Sequence, residues 1–134
     1  MHITLEADYA VRIVNCLAKN KVRMDAKSIA AYTGVTLRFS LKILRKLVAN
    51  GIVRSFKGTQ GGYELAKAAD EISLGEVIEI VEGPITISRC VGASPEEYQC
   101  SRVEEADCEC RFSRTYAEVA KLVREKLDAI HFGE

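Results

Sequence analysis

The chain has 134 residues, 48% of them hydrophobic, and its nineteen basic and nineteen acidic side chains cancel. That length accommodates one compact unit of modest core plus an appendage, a size at which dimerisation often completes the core. Met1 leads directly into polar sequence and no apolar run approaches the length of a membrane span, so a cytoplasmic protein without a membrane partner is expected.

Neutrality hides a division. Residues 1–67 carry twelve Lys/Arg against four Asp/Glu, and residues 68–134 carry seven against fifteen, so the halves stand at about +8 and −8. A uniformly neutral chain would argue against a polyanionic partner. A basic half joined to an acidic one argues for a partner that binds only the first.

In chain order, Leu5 to Asn20 places Ala10, Ile13, Val14 and Leu17 on one helical face, with Thr4 as N-cap. Asp25 caps a short second helix, Ala26 to Tyr32, with Ile29 and Ala30 on its apolar side. Thr33-Gly34-Val35 then forms a tight turn, because Gly34 can take the positive φ that most residues avoid. Thr36 caps a third helix reaching about Asn50 and ended by Gly51. Its apolar face is expected to hold Phe39, Ile43, Leu44, Leu47 and Val48, and its outer face Arg38, Lys42, Arg45 and Lys46. Short helix, glycine turn and basic helix in that order make a helix-turn-helix.

Two β-prone runs follow, Ile52-Val53-Arg54-Ser55 and Gly62-Tyr63-Glu64-Leu65, joined by the glycine-rich turn Phe56 to Gly61. This hairpin is the wing of a winged helix. Ser73-Leu74-Gly75-Glu76 is a capping box that opens a fourth helix ending before Gly83-Pro84. Ile85 to Arg111 has little helical periodicity. From Phe112 onward, Phe112, Tyr116, Val119, Ala120, Val123, Leu127 and Ile130 recur at near-heptad spacing, which predicts a long C-terminal helix with one apolar stripe. The expected fold is mainly α with a small β-hairpin wing: a winged helix-turn-helix over 1–83, a cysteine-rich loop over 84–111 and a dimerisation helix over 112–134.

Between Thr36 and Lys67 seven basic residues stand against Glu64 alone. A single basic helix is equally well read as a solvated face. With a glycine turn before it and a glycine-rich wing after it, the pattern points to double-stranded DNA, whose phosphates need cations and whose base edges need a few reaching side chains. The candidate DNA-binding residues are Thr36, Leu37, Arg38, Leu41, Lys42 and Arg45 on the helix and Lys57, Gly58, Thr59, Gln60 and Gly61 in the wing. One detail breaks the pattern: Ser40 lies towards the core stripe while Leu41 falls among the outward cations. Either the helix is rotated slightly and buries Leu41, or Leu41 touches thymine methyl groups.

Cys90, Cys100, Cys108 and Cys110 fall within twenty-one residues. In a reducing compartment such a cluster reads as metal or redox chemistry, not as a secreted disulfide framework. An iron–sulfur cluster, a closed zinc site and a metal-free thiol–disulfide switch are all compatible with it, since neither ferredoxin nor zinc-ribbon spacing is present. Cys16, beside the apolar stripe of the first helix, reads as a small buried hydrophobe. Asp8 and Arg12 are four apart on a helix and make an ordinary ion pair unless Asp8 is a ligand. His2 and His131 lie near the ends and define no site. The chain shows no serine–histidine–carboxylate set, phosphate-cradling loop or paired-carboxylate cleft, so no enzymatic activity is expected.

Several runs are similar to a known family: Thr4-Leu5-Glu6-Ala7-Asp8-Tyr9-Ala10-Val11-Arg12, Val35-Thr36-Leu37-Arg38-Phe39 through Ile43-Leu44-Arg45-Lys46-Leu47, and Gly51 to Ser55. Lys57-Gly58 with Gly61-Gly62-Tyr63, and Ile72 to Ile78 with Glu82-Gly83-Pro84, extend the likeness. Together they resemble the Rrf family of winged-helix regulators, which includes the IscR and NsrR types. The resemblance implies a homodimeric bacterial transcription regulator whose C-terminal helix crosses to the partner. It also implies a cysteine-held iron–sulfur cluster, of 2Fe-2S or 4Fe-4S type, through which iron–sulfur, redox or nitric oxide status is sensed. By position Cys90 matches the first family ligand and Cys110 the third, with Cys100 and Cys108 both available as the middle one. Ser113 stands where IscR-type members use a histidine, whereas Asp8 matches the acidic residue that NsrR-type members contribute from the partner subunit. The alternative function is a zinc-binding or metal-trafficking protein, or a thiol–disulfide switch regulator without metal.

Overall fold

The computed structural model describes residues 2–88 and 111–133. Three helices come first, α1 (Leu5–Asn20), α2 (Ala26–Thr33) and α3 (Leu37–Ala49). An antiparallel hairpin of β1 (Val53–Phe56) and β2 (Gly62–Leu65) follows, then α4 (Leu74–Glu82) and α5 (Arg111–Asp128). This is the expected winged helix-turn-helix with a long C-terminal helix. Among the described residues no helix is long and apolar enough to cross a membrane.

The first four helices begin where a side-chain oxygen can satisfy an otherwise orphaned amide. Thr4 accepts from the Ala7 N–H at 3.2 Å, Asp25 from Ser28 at 2.7 Å, Thr36 from Phe39 at 3.3 Å and Ser73 from Glu76 at 3.0 Å. The capping box at Ser73 is only half closed. Glu76 turns its carboxylate to the Lys67 ammonium at 2.9 Å instead of returning to the Ser73 amide. Gly34 ends α2 at φ +74, its N–H donating to the Ala30 carbonyl, and this left-handed residue sets the angle between α2 and α3.

The core gathers Ile13, Val14 and Leu17 from α1, Ile29 from α2, Ile43, Leu44 and Leu47 from α3, then Ile52, Val53, Ile72 and Val77. On α3 the stripe differs from expectation at one position. Phe39 was expected to point inward, yet it is 41% exposed; its ring lies on the flank facing α1 and meets Tyr9 edge-on at 5.8 Å. Ser40 is fully buried, with no hydrogen-bond partner for its hydroxyl among the described residues, whereas Leu41 is 39% exposed. The helix is therefore not rotated to bury Leu41. Its inward line runs through Ser40, Ile43, Leu44 and Leu47, and Leu41 stands with the outward cations.

Two long-range pairings complete the unit. The α1–α2 linker lies beside the wing, where Met24 and Tyr63 exchange both backbone hydrogen bonds, at 3.0 and 2.7 Å. Gly62 makes this approach feasible: it has φ +142, and a Cβ there would stand 2.7 Å from the Met24 carbonyl oxygen. At the other end, the chain after α5 turns back to its own winged helix. Leu74 N–H donates to the Ile130 carbonyl at 2.8 Å, Phe132 N–H to Ile72 at 3.2 Å, and Phe132 packs on the core.

Gly62→Ala therefore meets both a disfavoured backbone region and a backbone clash. It should lower unfolding free energy by about 2 kcal/mol, read as a reduced urea midpoint with an unchanged slope. A wild-type midpoint would show that the linker yields without cost.

Candidate functional site

The exposed side of α3 is built by the helical repeat. Arg38, Lys42 and Arg45 recur every three or four residues, with Leu41 beside them, and with Phe39 they line a shallow recess of about 580 Å³. Thr36 and Leu37, at the helix start, are exposed as well. The sequence-predicted residues of α3 thus share one continuous solvent-facing surface.

In the wing, register pairs Arg54 with Glu64 and Phe56 with Gly62, leaving Lys57 to Gly61 as the turn. Gly61 N–H donates to the Gly58 carbonyl at 3.0 Å, closing a tight turn, and Lys57, Gly58, Thr59 and Gln60 are exposed. Arg23, from the α1–α2 linker, braces this turn. Its guanidinium lies 3.4 Å from the centre of the Phe56 ring, donates to the Gln60 carbonyl at 3.1 Å and stands 3.7 Å from Glu64. Nothing local in the sequence marks Arg23 for this role, because its partners lie more than thirty positions away.

Charge pairing sharpens the surface. All four acidic residues of the basic half are engaged: Glu6 with Lys42 and Lys46, Asp8 with Arg12, Glu64 with Arg23, and Asp25 as the α2 cap. The Lys46 ammonium, 2.8 Å from the Glu6 carboxylate, holds that carboxyl below its usual range, and Lys42 adds to the effect. Arg38, Arg45, Arg54 and Lys57 have no ion-pair partner among the described residues and leave their charge to solvent. The surface can therefore attract a polyanion, with Leu41 as an apolar contact among the cations.

The cysteines Cys90, Cys100, Cys108 and Cys110 lie outside the described residues. Asp8 is described: its carboxylate is 46% exposed and pairs with Arg12 at 2.9 Å, as the i,i+4 spacing allows. It borders an apolar groove of about 650 Å³ between the start of α1, α4 and the end of α5, lined by Ile3, Leu5, Val11, Leu74, Ile78 and Leu127. Cys16 is buried; desolvation pushes its thiol upward, against the Asn20 amide. This favours the neutral, unreactive form expected of a packing residue.

On α5, Ala120 is buried, while Phe112, Tyr116, Val119, Leu122 and Val123 are exposed; Ile130, expected on the same helical stripe, lies beyond the helix end at Asp128, in the tail that pairs with Leu74. Leu122 lies outside the stripe read from the sequence. Arg124 donates to the Ile85 carbonyl at 2.8 Å and ties the helix to the segment that follows α4.

Helix-turn-helix, braced wing and long trailing helix define a winged-helix architecture. Residues 3–134 match the family model Rrf2, iron-dependent transcriptional regulator, and the chain belongs to the Rrf2 family. Among its relatives, an HTH-type transcriptional regulator of Mycobacterium tuberculosis is 35% identical over 73% of this chain and 62% of its own length. The regulator IscR of Cronobacter sakazakii is 33% identical over 69% of this chain and 58% of its own. The chain thus spans about three fifths of the length of these two relatives. Of solved structures, CymR, the global cysteine regulator of Bacillus subtilis, superposes with a TM-score of 0.76 at 26% identity, covering 98% of this chain and 93% of CymR. IscR of T. potens shares the fold, with a TM-score of 0.74 at 23% identity over 98% of this chain and 83% of its own.

Proposed function

We propose that this regulator acts as a homodimer on a double-stranded DNA operator and that a cysteine-held iron–sulfur cluster adjusts its affinity. The observation that carries the DNA reading is the cationic surface of α3, where Arg38 and Arg45 have no ion-pair partner among the described residues, set beside a wing whose turn is braced by Arg23. In this reading Leu37, Arg38, Leu41 and Lys42 enter the major groove, and Thr36, Arg45 and Lys57 to Gly61 contact backbone and groove edges.

Dimerisation follows from the trailing helix. α5 leaves Phe112, Tyr116, Val119, Leu122 and Val123 exposed, and a second copy of the helix covers them economically. Residues 1–83 then act as the reading head, 84–111 as the sensing loop and 112–134 as the dimerisation segment, whose helix ends at Asp128 and whose tail returns to the protomer's own core.

The donor chemistry fits an iron–sulfur cluster. Four thiols in twenty-one residues supply the soft ligands, and Asp8, half-exposed at the edge of the groove, offers an oxygen ligand once Arg12 releases it. Cys90, Cys110 and one of Cys100 and Cys108 would hold the cluster, with Asp8 of the partner subunit or the remaining cysteine as fourth ligand. When bound, such a cluster supplies iron that responds to oxidants and to nitric oxide. The chain's own part is mechanical: the cysteine segment joins α4 to α5, so its conformation bears on how the two reading heads are spaced. The Rrf2 description as iron-dependent and the kinship with IscR support this reading.

Lys42→Ala with Lys57→Ala should weaken binding to a duplex selected from a random pool. The double variant should also flatten the plot of log affinity against log salt by up to about two units, near one per lost phosphate contact. An unchanged slope would remove this face from the interface.

Sedimentation at micromolar concentration should give a dimer, and Leu122→Lys with Val123→Lys should shift it to monomer. A monomeric wild type would overturn the α5 assignment.

Protein purified without oxygen should be brown and contain iron and sulfide. Cys90→Ala and Cys110→Ala should each abolish stable cluster binding, Cys100→Ala and Cys108→Ala should differ in severity, and Cys16→Ala should retain the cluster. Colourless zinc protein, or metal-free protein with reversibly oxidised thiols, would replace the cluster with one of the other two chemistries.

A further inference from the structure

Glu6 occupies a position the DNA reading does not use. It sits in the first turn of α1 and reaches across to α3, where one carboxylate oxygen lies 2.8 Å from the Lys46 ammonium and 3.7 Å from that of Lys42. The two lysines are one turn apart, so a single negative charge is shared between them. The sharing is unequal. Lys46, 38% exposed, is hydrogen-bonded; Lys42, 56% exposed, lies beyond hydrogen-bond distance and borders the recess with Arg38 and Arg45. Lys42 is thus loosely held at the edge of the very surface that faces the polyanion.

We propose that Glu6 is a specificity-determining positioning residue: an internal counter-anion that competes with DNA phosphate for Lys42. It reduces sequence-independent attraction while leaving Leu37, Arg38 and Leu41 to read the site. The inference rests on the DNA-binding reading. An ammonium already neutralised inside the protein releases less counterion from DNA, so its contribution to the salt dependence is diminished. Because Lys46 retains Glu6 by the shorter contact, the carboxylate remains in place when Lys42 swings to a phosphate, and the competition is renewed at each encounter. Affinity for any duplex falls, and affinity for a site with well-placed base contacts falls by a smaller fraction.

The test is fluorescence anisotropy with a labelled mixed-sequence duplex and with a duplex selected from a random pool, across a range of KCl concentrations. Glu6→Gln should raise affinity for the mixed-sequence duplex roughly threefold or more and steepen its salt slope by about one unit, while narrowing the ratio between the two duplexes. Adding Lys42→Ala to Glu6→Gln should cancel the steepening. Should Glu6→Gln fail to fold, Glu6→Asp, one methylene shorter and still acidic, should move slope and ratio in the same direction by less. An unchanged slope and ratio in a folded variant would leave Glu6 a structural ion pair and overturn the proposal, as would a loss of affinity or a steepening that survives Lys42→Ala. If the wild type shows no salt-dependent binding to either duplex, the DNA reading itself fails and takes this proposal with it.

Discussion

The backbone exchange between Ile72–Leu74 and Ile130–Phe132 fixes the geometry on which the remaining functional features depend. Without it α5 would be a helix on a tether. With it, the lower end of α5 is hydrogen-bonded to the residues that open α4 and packed on the winged-helix core through Phe132. Two further ties share this region: Arg124 holds the Ile85 carbonyl, and Glu82 accepts from the Thr4 amide at 2.8 Å, joining the end of α4 to the start of α1. The apolar face of α5 is thereby presented at a set angle to α3. A dimer formed through that face separates the two reading surfaces by a distance that the protomer itself determines.

The same closeness lets α1 bear on both ends of the molecule. Its first two turns carry Thr4 towards α4, Glu6 towards α3 and Asp8 towards the groove beside α5. Alternate residues on one short stretch therefore meet α4, α3 and the groove beside α5, Thr4 through its backbone amide and Glu6 and Asp8 through their side chains. Exposed ion pairs of this kind contribute little to stability, on the order of 0–1 kcal/mol each, so their importance lies in where they hold charge. With the four acids of the basic half engaged elsewhere, Arg38 and Arg45 on α3 and Arg54 and Lys57 in the wing have no ion-pair partner among the described residues.

Most of the fold was legible in the sequence because its signals are local. Thr4, Asp25, Thr36 and Ser73 announce helix starts through a contact three residues away, and Gly34 announces a turn through its own φ. What was not legible depends on contacts made at long range. Arg23 is an unremarkable linker cation until Phe56 and Gln60 fold beneath it, and Met24 gives no strand signal because one bridging residue has no periodicity. Phe39 was misplaced for a similar reason: hydrophobicity assigns it to the interior, but Tyr9 on α1 offers an aromatic edge at the surface, and Ser40 takes the inward position. The family resemblance added what spacing could not, a choice among three chemistries for the cysteines.

The proposed coupling between the cysteine segment and α3 would need little energy. A tenfold change in DNA affinity corresponds to about 1.4 kcal/mol of difference between two arrangements, comparable with one or two hydrogen bonds. The ties that position α5 are of that size: one arginine on a carbonyl, two backbone bonds of the tail, one carboxylate on an amide. They are strong enough together to define one arrangement and weak enough singly for a second to lie within reach. A change in the segment between α4 and α5 therefore need not unfold anything. Loosening the contact of Arg124 with Ile85 would free the upper part of α5 while the Ile130–Phe132 pairing still anchors its base. In a dimer, a pivot at that base would be multiplied by the length of the helix into a displacement of the two wings.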